Sequence, residues 1–157
     1  MANSTHLLER FQKFQELIPY QDHGIMPMEA FALCKFIEDI GATIILESGT
    51  ANGYSTEILG NMFPELKVIT IDNQSTYGEK TQEATKKRLS YLDNVSFIVS
   101  NSFSELPKHI KSNEDKVIAV FIDGPKHDQG AKLANLCNEY KNVAFSALHD
   151  RLKPAED

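Results

Sequence analysis

No apolar run in the sequence approaches the roughly 18 residues that a membrane helix needs. The opening stretch Met-Ala-Asn-Ser-Thr-His-Leu-Leu-Glu-Arg-Phe lacks the continuous apolar region of a secretory leader and fits an amphipathic helix instead. Cysteine is scarce. Cys34 and Cys137 are the two present, far apart and without metal-type spacing, so buried thiols in a reducing, cytoplasmic setting are expected. Positive charge is in deficit, with 16 Lys and Arg against 22 Asp and Glu and a formal charge of −6. A nucleic-acid backbone needs clustered cations and is disfavoured as the main partner. Repeats, low-complexity tracts and interdomain linkers are missing too. What is left is 157 residues, 41% hydrophobic and 24% charged, enough for one core without disulfide staples. The expectation is one domain over residues 1–157, with N-terminal helices over 1–40 and a core over 41–150.

What the chain does have is alternation. Residues 5–18 and 27–40 carry apolar positions at helical spacing, and Pro27 suits a first turn. Thr43 to Glu47 is a short continuous apolar run, the pattern of a strand buried on both faces. A helix over Tyr54 to Met62 follows. Lys67 to Asp72 reads as the second strand, a charged segment around 78–91 as a helix, and Asn94 to Val99 as the third strand. Leu106 to Lys111 reads as a short helix and Val117 to Asp123 as the fourth strand. A helix over 128–140 leads to a fifth strand, Asn142 to Leu148. Five strand–helix alternations imply an α/β fold: a Rossmann-like, doubly wound, mostly parallel sheet with helices on both faces. Such sheets bind ligands beyond the carboxyl ends of their strands, where strand order reverses. Glu47, Asp72, Asn101, Asp123 and Asp150 each close or follow a strand. One polar residue there is ordinary loop chemistry; five in the same position suggest a site.

The turn after the first strand, Glu47-Ser48-Gly49-Thr50-Ala51-Asn52-Gly53-Tyr54-Ser55, is the most informative stretch. Glycine after a strand lets the backbone turn sharply and approach a neighbour closely. A dinucleotide fingerprint needs further glycines where this sequence has Ala51 and Tyr54, which weakens a nucleotide-dependent oxidoreductase. Asp72 lies about 20 residues beyond Gly53, the separation expected of an acid that accepts ribose hydroxyls. Ser100-Asn101-Ser102-Phe103 after the third strand is a weaker signal, since small polar residues are common in turns. The fourth strand ends in Asp123-Gly124-Pro125-Lys126-His127, and the fifth in His149-Asp150.

The pattern E-x-G-x-x-x-G-Y-S resembles motif I of class I S-adenosylmethionine (SAM) dependent methyltransferases, within the catechol O-methyltransferase-like and related small-molecule enzymes. The likeness extends over roughly residues 24–150. It implies that Glu47, Gly49 and Gly53, with Ser55 nearby, shape the pocket for the methionine part of SAM. It further implies that Asp72 holds the ribose, and that Asn101, Ser102 and Phe103 border the adenine. Asp123-Gly124-Pro125-Lys126 resembles the D-x-x-K segment of these enzymes, which makes Asp123 a candidate ligand for Mg²⁺ or another divalent cation and Lys126 a candidate general base. Asp150, with His149, would complete an oxygen-rich metal site, although a coordinating His shifts the choice toward a transition metal. The implied activity is O-methylation of a small hydroxylated acceptor, a phenol or a sugar, with a non-catalytic SAM-binding module as the alternative. Methyltransferases of this class continue past the fifth strand with a further helix and two strands. The expectation is therefore an uncovered sheet edge, left for a missing C-terminal segment or a second copy to cover.

Overall fold

The computed structural model describes residues 4–21, 24–75 and 78–149. Helices α1 (Ser4–Leu17) and α2 (Pro27–Asp39) lead into β1 (Ile44–Ser48). Then come α3 (Tyr54–Met62), β2 (Lys67–Asp72), α4 (Gly78–Arg88), β3 (Val95–Val99), α5 (Ser102–Lys111), β4 (Ile118–Ile122), α6 (His127–Asn138) and β5 (Val143–Leu148). The strands form one sheet in the order β3-β2-β1-β4-β5, every pair parallel. The doubly wound α/β architecture read from the sequence is present. Strand order reverses between β1 and β4, so the loops leaving those two strands diverge and open a crevice between them.

Alternation along the strands sorts the core into two layers. Ile45, Val68, Ala119 and Phe121 face α1, α2 and α3, while Ile44, Leu46, Ile69, Ile71, Val120 and Ile122 face α5 and α6. Both faces of the central strands are therefore largely apolar, and β1 and β4 are buried at every position, Glu47 and Ser48 at the end of β1 included. Each buried Ile or Leu contributes roughly 1.5–3 kcal/mol, so both layers are needed to hold the middle of the sheet. Cys34 sits in the first layer and Cys137 in the second; both are buried free thiols. The sheet lies between them. Among the described residues β5 is one edge of the sheet, and no helix is long and apolar enough to cross a membrane.

Two elements depart from the sequence reading. Helix α5 begins at Ser102, four residues before the expected Leu106, because Asn101 caps it by accepting a hydrogen bond from the Phe103 N–H at 2.9 Å. Pro107 consequently falls at the sixth position, inside the helix, where it removes one intrahelical bond. Helix α4 is the other. It carries no large apolar side chain, and of its residues only Gln82 and Thr85 are buried. Polar contacts with its neighbours, together with the fully buried Leu89 just beyond its last residue, hold it in place.

Candidate functional site

The crevice at the switch point is a cavity of about 310 Å³. Four strand ends wall it: Gly49 to Asn52 after β1, Ile71 to Asn73 at the end of β2, Asn101 to Phe103 after β3, and Asp123 to Lys126 after β4. Gly24 and Ile25, from the link between α1 and α2, close one side. Of the residues singled out in the sequence, Gly49, Ser55, Asp72, Asn101, Ser102, Phe103, Asp123 and Lys126 line this one space. Asp150 lies outside the described residues.

Glu47 and Gly53 are not among the lining residues. Glu47 is fully buried, and its two oxygens accept hydrogen bonds from the hydroxyls of Ser55 and Thr56 in the first turn of α3. Burial pushes its carboxyl up to about 7, against the opposing hydrogen bonds from Ser55, Thr56 and Thr70. Ser55 reaches the cavity, but its hydroxyl is committed to Glu47 at 2.5 Å. Gly53 has φ +77, and a Cβ there would meet Thr85 Cγ2 at 2.5 Å and Leu89 Cδ1 at 2.9 Å. Its lack of a side chain lets the loop pack against α4. Gly49, at φ +95, has its close approach to the β4–α6 loop: a Cβ there would lie 2.6 Å from the Gly124 backbone nitrogen. The glycines thus bring loop against loop and loop against helix, and the cavity wall is the result.

Asp72 sits at the cavity wall with one backbone donor on each oxygen. Ala51 N–H donates to Oδ2 at 3.1 Å and Gln74 N–H to Oδ1 at 2.7 Å. Both donors belong to left-handed turns, Ala51 at φ 46 and Gln74 at φ 63, an uncommon backbone for side chains with a Cβ. Beneath the loop the Thr50 and Thr70 hydroxyls are 2.6 Å apart and buried. Ser48 hydrogen-bonds the Ser102 hydroxyl at 2.6 Å and the Gly124 carbonyl, which joins three of the four loops.

At the other end Asp123 forms an ion pair with Lys126 and a hydrogen bond with His149 Nδ1 at 2.7 Å. Burial alone would raise the Asp123 carboxyl, but the hydrogen bonds and charges of His149 and Lys126 outweigh it and hold the group below its ordinary value. His149 Nε2 also lies 3.5 Å from Glu29. No group of three or more metal-ligating side chains occurs among the described residues. The sequence reading missed Tyr54, Pro125, Gln129 and the Gly24–Ile25 pair, all of which line the cavity. Gly24 carried the one available signal, a glycine between two amphipathic helices. It is needed there, since a Cβ would meet Tyr54 Cδ1 at 2.6 Å.

No family model and no curated protein matches the sequence. Solved structures do resemble the fold. One is a methyltransferase of Podospora anserina bound to S-adenosylhomocysteine (SAH), with TM-score 0.58 and 18% identity, covering 92% of this chain and 59% of that one. Another is the O-methyltransferase TomG of Streptomyces achromogenes, involved in tomaymycin synthesis and solved with SAM, with TM-score 0.58 and 18% identity over 92% and 63%. An O-methyltransferase of Bacillus cereus in complex with SAH gives TM-score 0.51 and 21% identity over 86% and 61%. The chain spans about three-fifths of the length of these proteins. At such identities the likeness establishes the fold.

Proposed function

We propose that the chain binds S-adenosylmethionine in the switch-point cavity and serves methyl transfer to a hydroxyl oxygen of a small molecule. Asp72 carries the reading. A carboxylate offers about four acceptor positions, and the backbone takes one on each oxygen. Both oxygens keep capacity for a vicinal diol, and the two backbone bonds fix the carboxylate for that bidentate grip. The Gly49 to Asn52 backbone beside it suits the methionine portion. Phe103 offers an apolar face for the adenine. Asn101 spends its side-chain oxygen on the helix cap, which leaves its amide N–H₂ as the donor to the ring edge. Glu47 acts from beneath the wall, where it accepts from the Ser55 and Thr56 hydroxyls and so sets the start of α3, and Gly53 lets the loop pack against α4. Three of the structural neighbours were solved with SAM or SAH, which supports this reading of the cavity.

SAM, when bound, supplies a methyl group on a sulfonium together with its leaving group, so the protein's work is to align the acceptor and receive its proton. Asp123 and Lys126 stand at the end of the cavity suited to that step. Ion pairing stabilises the charged lysine, so Lys126 must part from Asp123 before it can take a proton. The pairing also favours a second reading, a SAM-binding module without turnover, because it commits the two candidate catalytic groups to each other. A cytoplasmic setting is part of the same proposal and suits two buried cysteines that are not paired. Cover for the β5 edge, by a second copy or further chain, belongs to the same proposal.

Calorimetric titration with SAM and SAH tests the reading. Wild type is expected to bind both. Asp72→Ala removes a hydrogen-bonded charge contact worth about 1.5–3 kcal/mol, a loss of roughly 10- to 150-fold in affinity. Equal affinity in the variant would remove Asp72 from this role. A divalent cation held by Asp123, His149 and Asp150 is the alternative route to acceptor activation. It would have to displace Lys126 and His149 from Asp123, and the described residues do not by themselves make its ligand set. Methyl transfer abolished by a chelator and restored by Mg²⁺ is the result that route requires; transfer that survives chelation excludes it.

A further inference from the structure

Helix α4 lacks an apolar face of its own, yet it packs behind the loop that lines the cavity. Besides the buried Leu89 that follows it, its last residue attaches it to that loop. Arg88 Nη1 forms an ion pair with Glu57 of α3, and its Nη2 donates to the Asn52 carbonyl at 2.8 Å. Glu57 is buried, 3% exposed, and its other oxygen accepts from the Tyr91 hydroxyl at 2.9 Å. One helical turn before Arg88, the Thr85 hydroxyl donates to the Ala51 carbonyl at 3.4 Å. Two successive carbonyls of the loop are thus held from α4, while the Ala51 N–H is held by Asp72 from the opposite side. Ala51 sits at φ 46, a left-handed conformation that is unfavourable for a non-glycine residue and persists only when its surroundings over-determine it.

We infer that Arg88 is a positioning residue for the cofactor: its guanidinium fork ties the Asn52 carbonyl to the buried Glu57 carboxylate and keeps the β1–α3 loop in its ligand-binding shape. The inference rests on the SAM reading of the cavity. The fork is what the role needs. One arm neutralises a buried carboxylate while the other reaches a carbonyl in a fixed relation to it, which a lysine ammonium cannot reproduce. Without the tie, the loop must select its bound shape from alternatives, and apparent affinity falls in proportion to the fraction in that shape.

The test is calorimetric titration of SAH into wild type, Arg88→Met, Arg88→Lys and Tyr91→Phe, with thermal melts of each. Arg88→Met is expected to raise the dissociation constant about tenfold, as for a loop that is competent about one-tenth of the time. Tyr91→Phe removes a Glu57 hydrogen bond without touching the loop, and is expected to lower the melting temperature while SAH affinity stays within twofold. Arg88→Lys keeps the ion pair without the second arm, and is expected to melt near wild type yet bind more weakly. If Arg88→Met fails to fold because it leaves Glu57 as an unpaired buried charge, Arg88→Met with Glu57→Gln removes that charge and is expected to show the same weakened binding. Wild-type affinity in Arg88→Met or its double variant would overturn the inference, as would full restoration by lysine. A wild type that binds no SAH overturns the cofactor reading itself, and with it this one.

Discussion

Replacing Gly49 with alanine is expected to lower folding stability by roughly 2–5 kcal/mol, two costs acting together. The first is backbone: Gly49 has φ +95, where a Cβ is strained by about 1–2 kcal/mol. The second is space. The new methyl carbon would lie 2.6 Å from the Gly124 nitrogen, 3.0 Å from the Asp123 carbonyl carbon and 3.1 Å from the Gly124 Cα. All three are backbone atoms of the β4–α6 loop, so no side chain can swing aside and the loop itself must move, at about 1–3 kcal/mol. Asp123 is carried on that loop, and Gly49 hydrogen-bonds the Ile71 carbonyl next to Asp72. The displacement should therefore reach both ends of the cavity. For a domain of this size the melting temperature should fall by roughly 5–20 °C. Gly41→Ala is the control, because Gly41 has φ +62 but nothing within 4 Å of a Cβ. It should show the backbone cost alone. Equal losses in the two variants would mean that the approach of the two loops is not what Gly49 provides.

The same contrast shows what the sequence could and could not disclose. A glycine after a buried strand was legible as a turn that must bring something close. That the thing brought close is the Gly124 backbone was not, because the partner lies 75 positions away and is set by the pairing of β1 with β4. The strand pattern was legible for a related reason: Ile44 to Leu46 and Ile118 to Ile122 lie between two layers of helices, so burial on both faces leaves short apolar runs. Helix α5 starts four residues before the expected Leu106 because the Asn101 cap outweighs the one bond that Pro107 removes, and a cap is visible only once the Phe103 N–H is seen to point at it. Arg88 was invisible for the opposite reason. In Lys86-Lys87-Arg88 three cations read alike, and only the fold puts the third against a buried carboxylate and a loop carbonyl. Glu47 lies between these cases. Its position at the end of β1 was legible, but its turning under the wall toward Ser55 and Thr56 depends on where α3 starts.

That burial gives Glu47 the second large effect, a loss of stability as pH rises from 5 to 8. The carboxyl moves from an ordinary 4.5 to about 7 in the folded protein, with desolvation as the leading cause. Between those values the folded chain binds more protons than the unfolded chain, so unfolding free energy declines as pH increases. The stabilising proton is fully in place below about 4.5 and is lost as pH passes through about 7. The interval corresponds to about 3 kcal/mol. Asp123 acts in the opposite sense and at the acid end, since its lowered carboxyl contributes stability that disappears as pH falls below its ordinary range. Glu47→Gln keeps the size of the side chain and an acceptor for one of the two hydroxyls, and it removes the charge. Melting temperature measured from pH 5 to 8 should therefore slope downward in wild type and flatten in Glu47→Gln, and the variant should be the more stable of the two at pH 8. A variant that keeps the wild-type slope would place the titrating group elsewhere and return Glu47 to the role of an ordinary ionised carboxylate beneath the loop.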